Sequence, residues 1–180
     1  MPATYDQIAY ELVSSAKSTV TFSSIPQTYT DLILVGYGTQ AAADSVLFRV
    51  GNGTVDSGSN YSATWGGFSS TRTAGQEYAG ASVTSSRASN ATFAVLVGWQ
   101  LSVSTTGVFS GEAHIFNYSS TSSFKTIVGT EVNTDNTGGF LENHVTAWRN
   151  TSAINVIQLF NRNGNFAAGT SFALYGIKGA

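Results

Sequence analysis

Cysteine is absent from this chain, proline occurs twice and methionine once, and charged side chains make up only 10% of its 180 residues. Without cysteine there are no disulfide staples and no thiolate metal centres, so packing alone must hold the fold. The scarcity of charge excludes more. Eight basic residues against ten acidic ones give a formal net charge of -2, with no run of lysine or arginine, so the electrostatic footprint of a nucleic-acid binder is missing. No segment reaches the roughly 18 consecutive apolar residues of a membrane helix. Met1 to Tyr10 lacks both the positive start and the apolar run of an export signal. The expectation is a soluble chain made in a cytoplasm, with neither nucleic acid nor membrane as a partner.

Hydroxyls and glycine occupy the place of the missing charges. Ser and Thr supply about a quarter of the chain, with 19 glycines and 12% aromatic residues. Such a surface can lie against a neighbouring subunit without stripping water from many ions, a step that is costly for every ion left unpaired. Composition therefore favours an assembling component, with a secreted or cell-surface domain as the alternative. Five Asn-x-Ser/Thr triplets, at Asn52, Asn60, Asn90, Asn117 and Asn150, are read as by-products of this composition and not as glycosylation sites. The length suits one domain over residues 1–180, able to bury roughly 70% of its unfolded surface.

Alternation is the main local signal. Val20 and Phe22 alternate with Thr19 and Thr21, and Pro26 ends that strand because it has no N–H for a ladder. Asp31 to Tyr37 is apolar on both faces, with Leu32 and Leu34 on one and Ile33, Val35 and Tyr37 on the other, which predicts a central strand covered on both sides. Ser45 to Val50 is followed by the turn-forming Gly51-Asn52-Gly53. Gly58 to Ala88 reads as long loops with short strands, anchored by Tyr61, Trp65, Phe68 and Tyr78. Strands are then expected at Thr92–Leu101, Val108–Tyr118, Ser123–Val132, Phe140–Arg149, Ile154–Phe160 and Ser171–Ile177. Only Gln7–Ser14 is ambiguous between a short helix and a strand. The fold class is all-β: a jelly-roll-like, two-sheet antiparallel sandwich of about ten strands with very little helix.

Reactive groups are few. Glu112-Ala113-His114 and Glu142-Asn143-His144 each place a carboxylate and an imidazole on one strand face, and together they hold both histidines. Converging, they would suit a zinc- or manganese-like ion; separate, they are two ordinary solvent-face pairs, the reading preferred here. Val132 to Gly139 alternates side-chain oxygens like a calcium loop but has His144 where the twelfth-position Glu should be, so it reads as a polar hairpin. No nucleophile elbow, phosphate loop or dinucleotide fingerprint occurs. The chain is therefore expected not to be an enzyme, with no catalytic, cofactor-binding or metal residues assigned and no cofactor. Trp65 and Trp148 are the candidates for an exposed sugar-stacking pair, whereas Trp99 reads as core.

The segment Val20 to Gly36, with its Ile25-Pro26-Gln27-Thr28-Tyr29-Thr30-Asp31-Leu32 turn, and the closing Asn165 to Ile177, with Phe172-Ala173-Leu174-Tyr175-Gly176-Ile177, resemble a β-sandwich module of tailed-bacteriophage virions, found especially in phages of cyanobacteria. The two motifs bracket almost the whole chain. The resemblance implies a virion location and assembly as a homotrimer. It points to a capsid decoration (cement) protein contacting the major capsid protein or other virion proteins. A tail-fibre or adsorption module with a host-glycan site is the alternative. No coiled-coil, collagen-like or triple β-helix shaft is visible in the chain, which favours decoration over fibre. Pro2–Tyr10 and the Gly58–Gly80 loops are the expected contact elements.

Overall fold

The computed structural model describes residues 4–39, 45–69, 82–97, 107–134 and 139–179. Within them lie thirteen strands and no helix: β1 (Tyr5–Leu12), β2 (Thr19–Phe22), β3 (Asp31–Gly38), β4 (Val46–Asn52), β5 (Thr54–Val55), β6 (Tyr61–Ser69), β7 (Ser82–Ala91), β8 (Ala94–Val97), β9 (Phe109–Phe116), β10 (Lys125–Thr134), β11 (Gly139–Trp148), β12 (Val156–Asn161) and β13 (Ser171–Ile177). They form an antiparallel two-sheet β-sandwich. One sheet has eight strands in the order β1-β13-β3-β9-β10-β11-β6-β7; the other has five, ordered β2-β12-β4-β5, with β8 also paired to β4.

The core follows from alternation. Leu32 and Leu34 on β3, Ala113 and Ile115 on β9, and Phe172 and Leu174 on β13 all point inward and are fully buried against Val46, Phe48 and Val50 of β4 and Ile157 and Leu159 of β12. Each large apolar side chain buried in this way stabilises the fold by about 1.5–3 kcal/mol. Phe166 packs edge-on against Phe172 with ring centroids 4.8 Å apart and closes one end of the sandwich.

Several expectations are corrected. Gln7–Ser14 contributes to strand β1, not a helix, and Ile8 is the extra residue of a bulge against β13 that packs onto the core. In Gly58–Ala88 the described residues are not mainly loop: β6 and β7 form a long antiparallel ladder, built on the alternation of Tyr61, Ala63 and Trp65 with Ser62 and Thr64, while residues 70–81, Tyr78 among them, lie outside the described residues. Of the expected Thr92–Leu101 strand the described part forms β8 from Ala94, with all four residues buried, and residues 98–101, Trp99 among them, lie outside the described residues. β3 is central in its sheet, yet its second face is open to solvent, with Tyr37 54% exposed. In the β4–β5 hairpin Gly53 is the residue with positive φ, at 72°.

The two segments that carry the family resemblance meet in space. Tyr29 lays its ring over Gly176, where any Cβ would overlap the ring. Pro26 offers its carbonyl to the buried Tyr118 hydroxyl, and Gln27 donates to the carbonyls of Ile25 and Ile154, both at 2.9 Å. Gly176→Ala is expected to destabilise the protein by about 1–3 kcal/mol, the range of core overpacking. Urea unfolding would measure the loss, and Tyr29→Ala in the same chain should recover part of it.

Candidate functional site

Strands β10 and β11 are turned inside out. On β3, β9 and β13 the inward positions are apolar, but along β10 the buried positions are Lys125, Ile127, Gly129, Glu131 and Asn133, while Val128 and Val132 face outward. On β11 Glu142, His144 and Thr146 are buried, whereas Leu141 and Val145 are exposed. Backbone register continues this outer face across the sheet. One row runs Gln7, Tyr175, Ile33, His114, Val128, Val145, Thr64 and Arg87. The next runs Tyr10, Ala173, Val35, Glu112, Thr130, Asn143 and Gly66, and a third Leu12, Ser171, Tyr37, Ser110, Val132 and Leu141. Nine of the eleven large apolar side chains exposed among the described residues lie on this face, including Tyr5 at 56%, Leu12 at 55% and Val145 at 50%. Exposed apolar side chains gathered on one face of a sheet make it the candidate interaction face of the molecule.

The two Glu-x-His pairs do not converge. Glu112 and His114 lie on the outer face, where His114 Nε2 is 3.2 Å from Asp31 Oδ2 and its ring stacks on Phe116 at 3.8 Å. Glu142 and His144 point into the sandwich, so the reading of two solvent-face pairs is corrected for this second pair. Among the described residues, no group of three or more His, Cys, Asp or Glu is placed to hold a metal ion. Glycines make room for the buried pair: a Cβ at Gly67 would fall 2.5 Å from Glu142 Cγ, and one at Gly129 would fall 2.7 Å from His144 Cδ2. The Glu142 carboxylate makes no hydrogen bond, and neither ring nitrogen of His144 makes a well-formed one. Burial pushes the His144 pKa down to about 4, against a smaller upward pull from the backbone of Leu96. Lys125, also buried, donates to the carbonyls of Ser123 at 2.7 Å and Thr151 at 3.2 Å.

Trp65 and Trp148 are 4% and 1% exposed, so neither can serve as a stacking platform. Trp148 instead donates from Nε1 to Asp56 Oδ2 at 2.8 Å, beneath a polar cleft of about 420 Å³ lined by Asn52, Thr54, Asp56, Ser57, Asn60 and Asn150 among others. Asn60 Nδ2 at 2.9 Å and the Gly58 N–H at 2.8 Å also donate to Asp56. Burial alone would raise the Asp56 pKa, but hydrogen bonds from Trp148, Asn60, Gly58 and Asn150 outweigh it and hold the carboxyl below its ordinary value. Three of the Asn-x-Ser/Thr triplets, those at Asn52, Asn60 and Asn150, converge on this cleft. The sequence signal that could have disclosed it was the density of Asn, Ser and Gly either side of Asp56.

No protein-family model matches the chain, and no curated protein matches it in sequence.

His144 gives a pH dependence with a defined sign. Its folded-state pKa of about 4 lies below the ordinary 6.5, so the unfolded chain binds more protons between those values. The contribution is complete above pH 6.5 and is lost as pH falls toward 4, about 3 kcal/mol in all. His144→Gln should remove that component, seen as a flatter difference in unfolding free energy between pH 7 and 4 relative to the parent protein.

Proposed function

We propose that this chain is a structural component of a bacteriophage virion, a capsid decoration (cement) protein that assembles as a homotrimer and adds contacts between subunits of the head shell. The observation that carries this reading is the inverted polarity of β10 and β11, which puts valine and leucine on the outside of a sheet while glutamate and histidine are buried. Folding in isolation gains nothing from that arrangement. An apposed protein surface does, since covering apolar area stabilises a complex by roughly 25 cal/mol per Å² before the costs of association. The resemblance of Val20–Gly36 and Asn165–Ile177 to phage virion modules supplies the kind of assembly. Of the expected contact elements, the β1 part of Pro2–Tyr10 belongs to this face through Tyr5 and Tyr10. Gly58–Gly80 enters it through β6, and residues 70–80 lie outside the described residues.

The polar cleft beneath Asp56 favours a second reading, an adsorption module of the tail that binds a host glycan. Its rigid hydrogen-bonding groups and low apolar content suit sugar hydroxyls. In the first reading, sedimentation of the purified protein gives three times the chain mass. Val128→Lys with Val145→Lys abolishes that assembly and co-sedimentation with undecorated phage heads, while the melting temperature stays within a few degrees because both sites are exposed. A monomeric parent protein that ignores phage heads overturns it. In the second, a glycan array gives hits that Asn60→Ala weakens about tenfold, and an array without hits removes that reading.

A further inference from the structure

Two charged side chains on the outer face of the eight-stranded sheet have no partner among the described residues, and they are of opposite sign. Glu112 is exposed midway along β9, on the edge of a shallow depression of about 340 Å³ whose other walls are Tyr5, Ile33, Val35 and Tyr175. Arg87 is exposed on the outermost strand, β7, directly opposite Thr64 and therefore on the same face. The other described cations are engaged: Lys17 with Glu11, Lys178 with Asp6, Lys125 and Arg149 with carbonyls, Arg49 and Arg162 over phenylalanine rings. The remaining acidic group on the face, Asp31, is held by His114 and by the Asn117 N–H at 2.6 Å. From β9 to β7 is four strand spacings, about 19 Å, too far for Glu112 and Arg87 to meet in one molecule.

This inference rests on the assembly reading above. If the apolar face is covered by protein, the Glu112 carboxylate loses its water, which is strongly unfavourable unless a cation replaces it. We infer that the occupant is a second copy of this chain, whose Arg87 enters the depression and meets the Glu112 carboxylate between the rings of Tyr5 and Tyr175. A guanidinium suits that socket because it pairs with carboxylate and stacks on aromatic faces at once. Donor and socket lie toward opposite ends of one sheet, so in a head-to-tail arrangement each copy gives its β7 edge to one neighbour and receives an edge from the other. Such contacts close into a ring where the rotation between copies closes, the arrangement the trimer reading takes.

A charge swap tests this. The chain carrying Glu112→Lys, the chain carrying Arg87→Glu and the chain carrying both are compared with the parent protein by sedimentation equilibrium, with thermal unfolding as a check on folding. Each single substitution is expected to weaken association about tenfold or more, and the double substitution to return it to within about threefold of the parent. If the parent assembles and the single variants assemble equally well, or the double variant is no better than the singles, the Glu112–Arg87 contact is wrong while the assembly reading stands. A parent protein that stays monomeric at all concentrations overturns both.

Discussion

The molecule is organised by a mismatch of width. At about 4.8 Å per strand the eight-stranded sheet is some 38 Å across, and among the described residues the sheet packed on its inner face is about half as wide. Where β12, β4 and β2 provide cover, the inward positions of β13, β3 and β9 are leucine, isoleucine and phenylalanine, and the sandwich behaves as ordinary close-packed hydrocarbon. Past β9 the cover provided by the described residues is β8. There glycine, asparagine, glutamate and histidine share the inward positions with Ile127, Trp148, Tyr61 and Trp65, leaving space or holding polar atoms in part of what would otherwise be apolar bulk.

That change of lining has a cost. A buried carboxylate or imidazole without a good hydrogen bond weakens the fold by about 1–3 kcal/mol, more when charged, and both Glu142 and His144 are in this position. Gly67 and Gly129 reduce the steric part of the problem by letting each side chain lie flat across the neighbouring strand. Hydrocarbon that a free-standing sandwich would turn inward at β10 and β11 is displayed instead, in register with the tyrosines of β1 and β3. A chain that shows valine and leucine outside gives up internal burial at those positions. The proposed assembly is built on that trade.

Much of the fold was legible because alternation reports burial directly. Val20 and Phe22, and Leu32 and Leu34, were placed on the correct strands from period two alone. The same signal failed where its assumption failed. In β11 the apolar residues Leu141 and Val145 face outward, and no single strand reveals which of its faces the rest of the chain will cover. Ile33, Val35 and Tyr37 misled in the same way, since a second apolar face reads identically whether it meets its own protein or another. The β6–β7 ladder was hidden because Gly66, Gly67 and a run of serines weaken strand propensity, although Tyr61, Ala63 and Trp65 alternated faithfully. Glu-x-His spacing correctly put each pair on one strand face, but opposite parity relative to the core sent one pair out and the other in. The Asp56 cleft depends on three segments brought together by pairing, and the Asn, Ser and Gly beside Asp56 are the one local trace of it, silent about the segments they meet.

The pairing of the first strand with the last is also consequential. Tyr5 lies opposite Ile177 at the edge of the large sheet, so the start of β1 and the end of β13 share one corner, about one strand spacing apart. Any peptide grafted onto either end is displayed at a common point. A short linker joining them would close the backbone into a circle without disturbing a single ladder, leaving the tight Gly53 hairpin as a natural place to open it again.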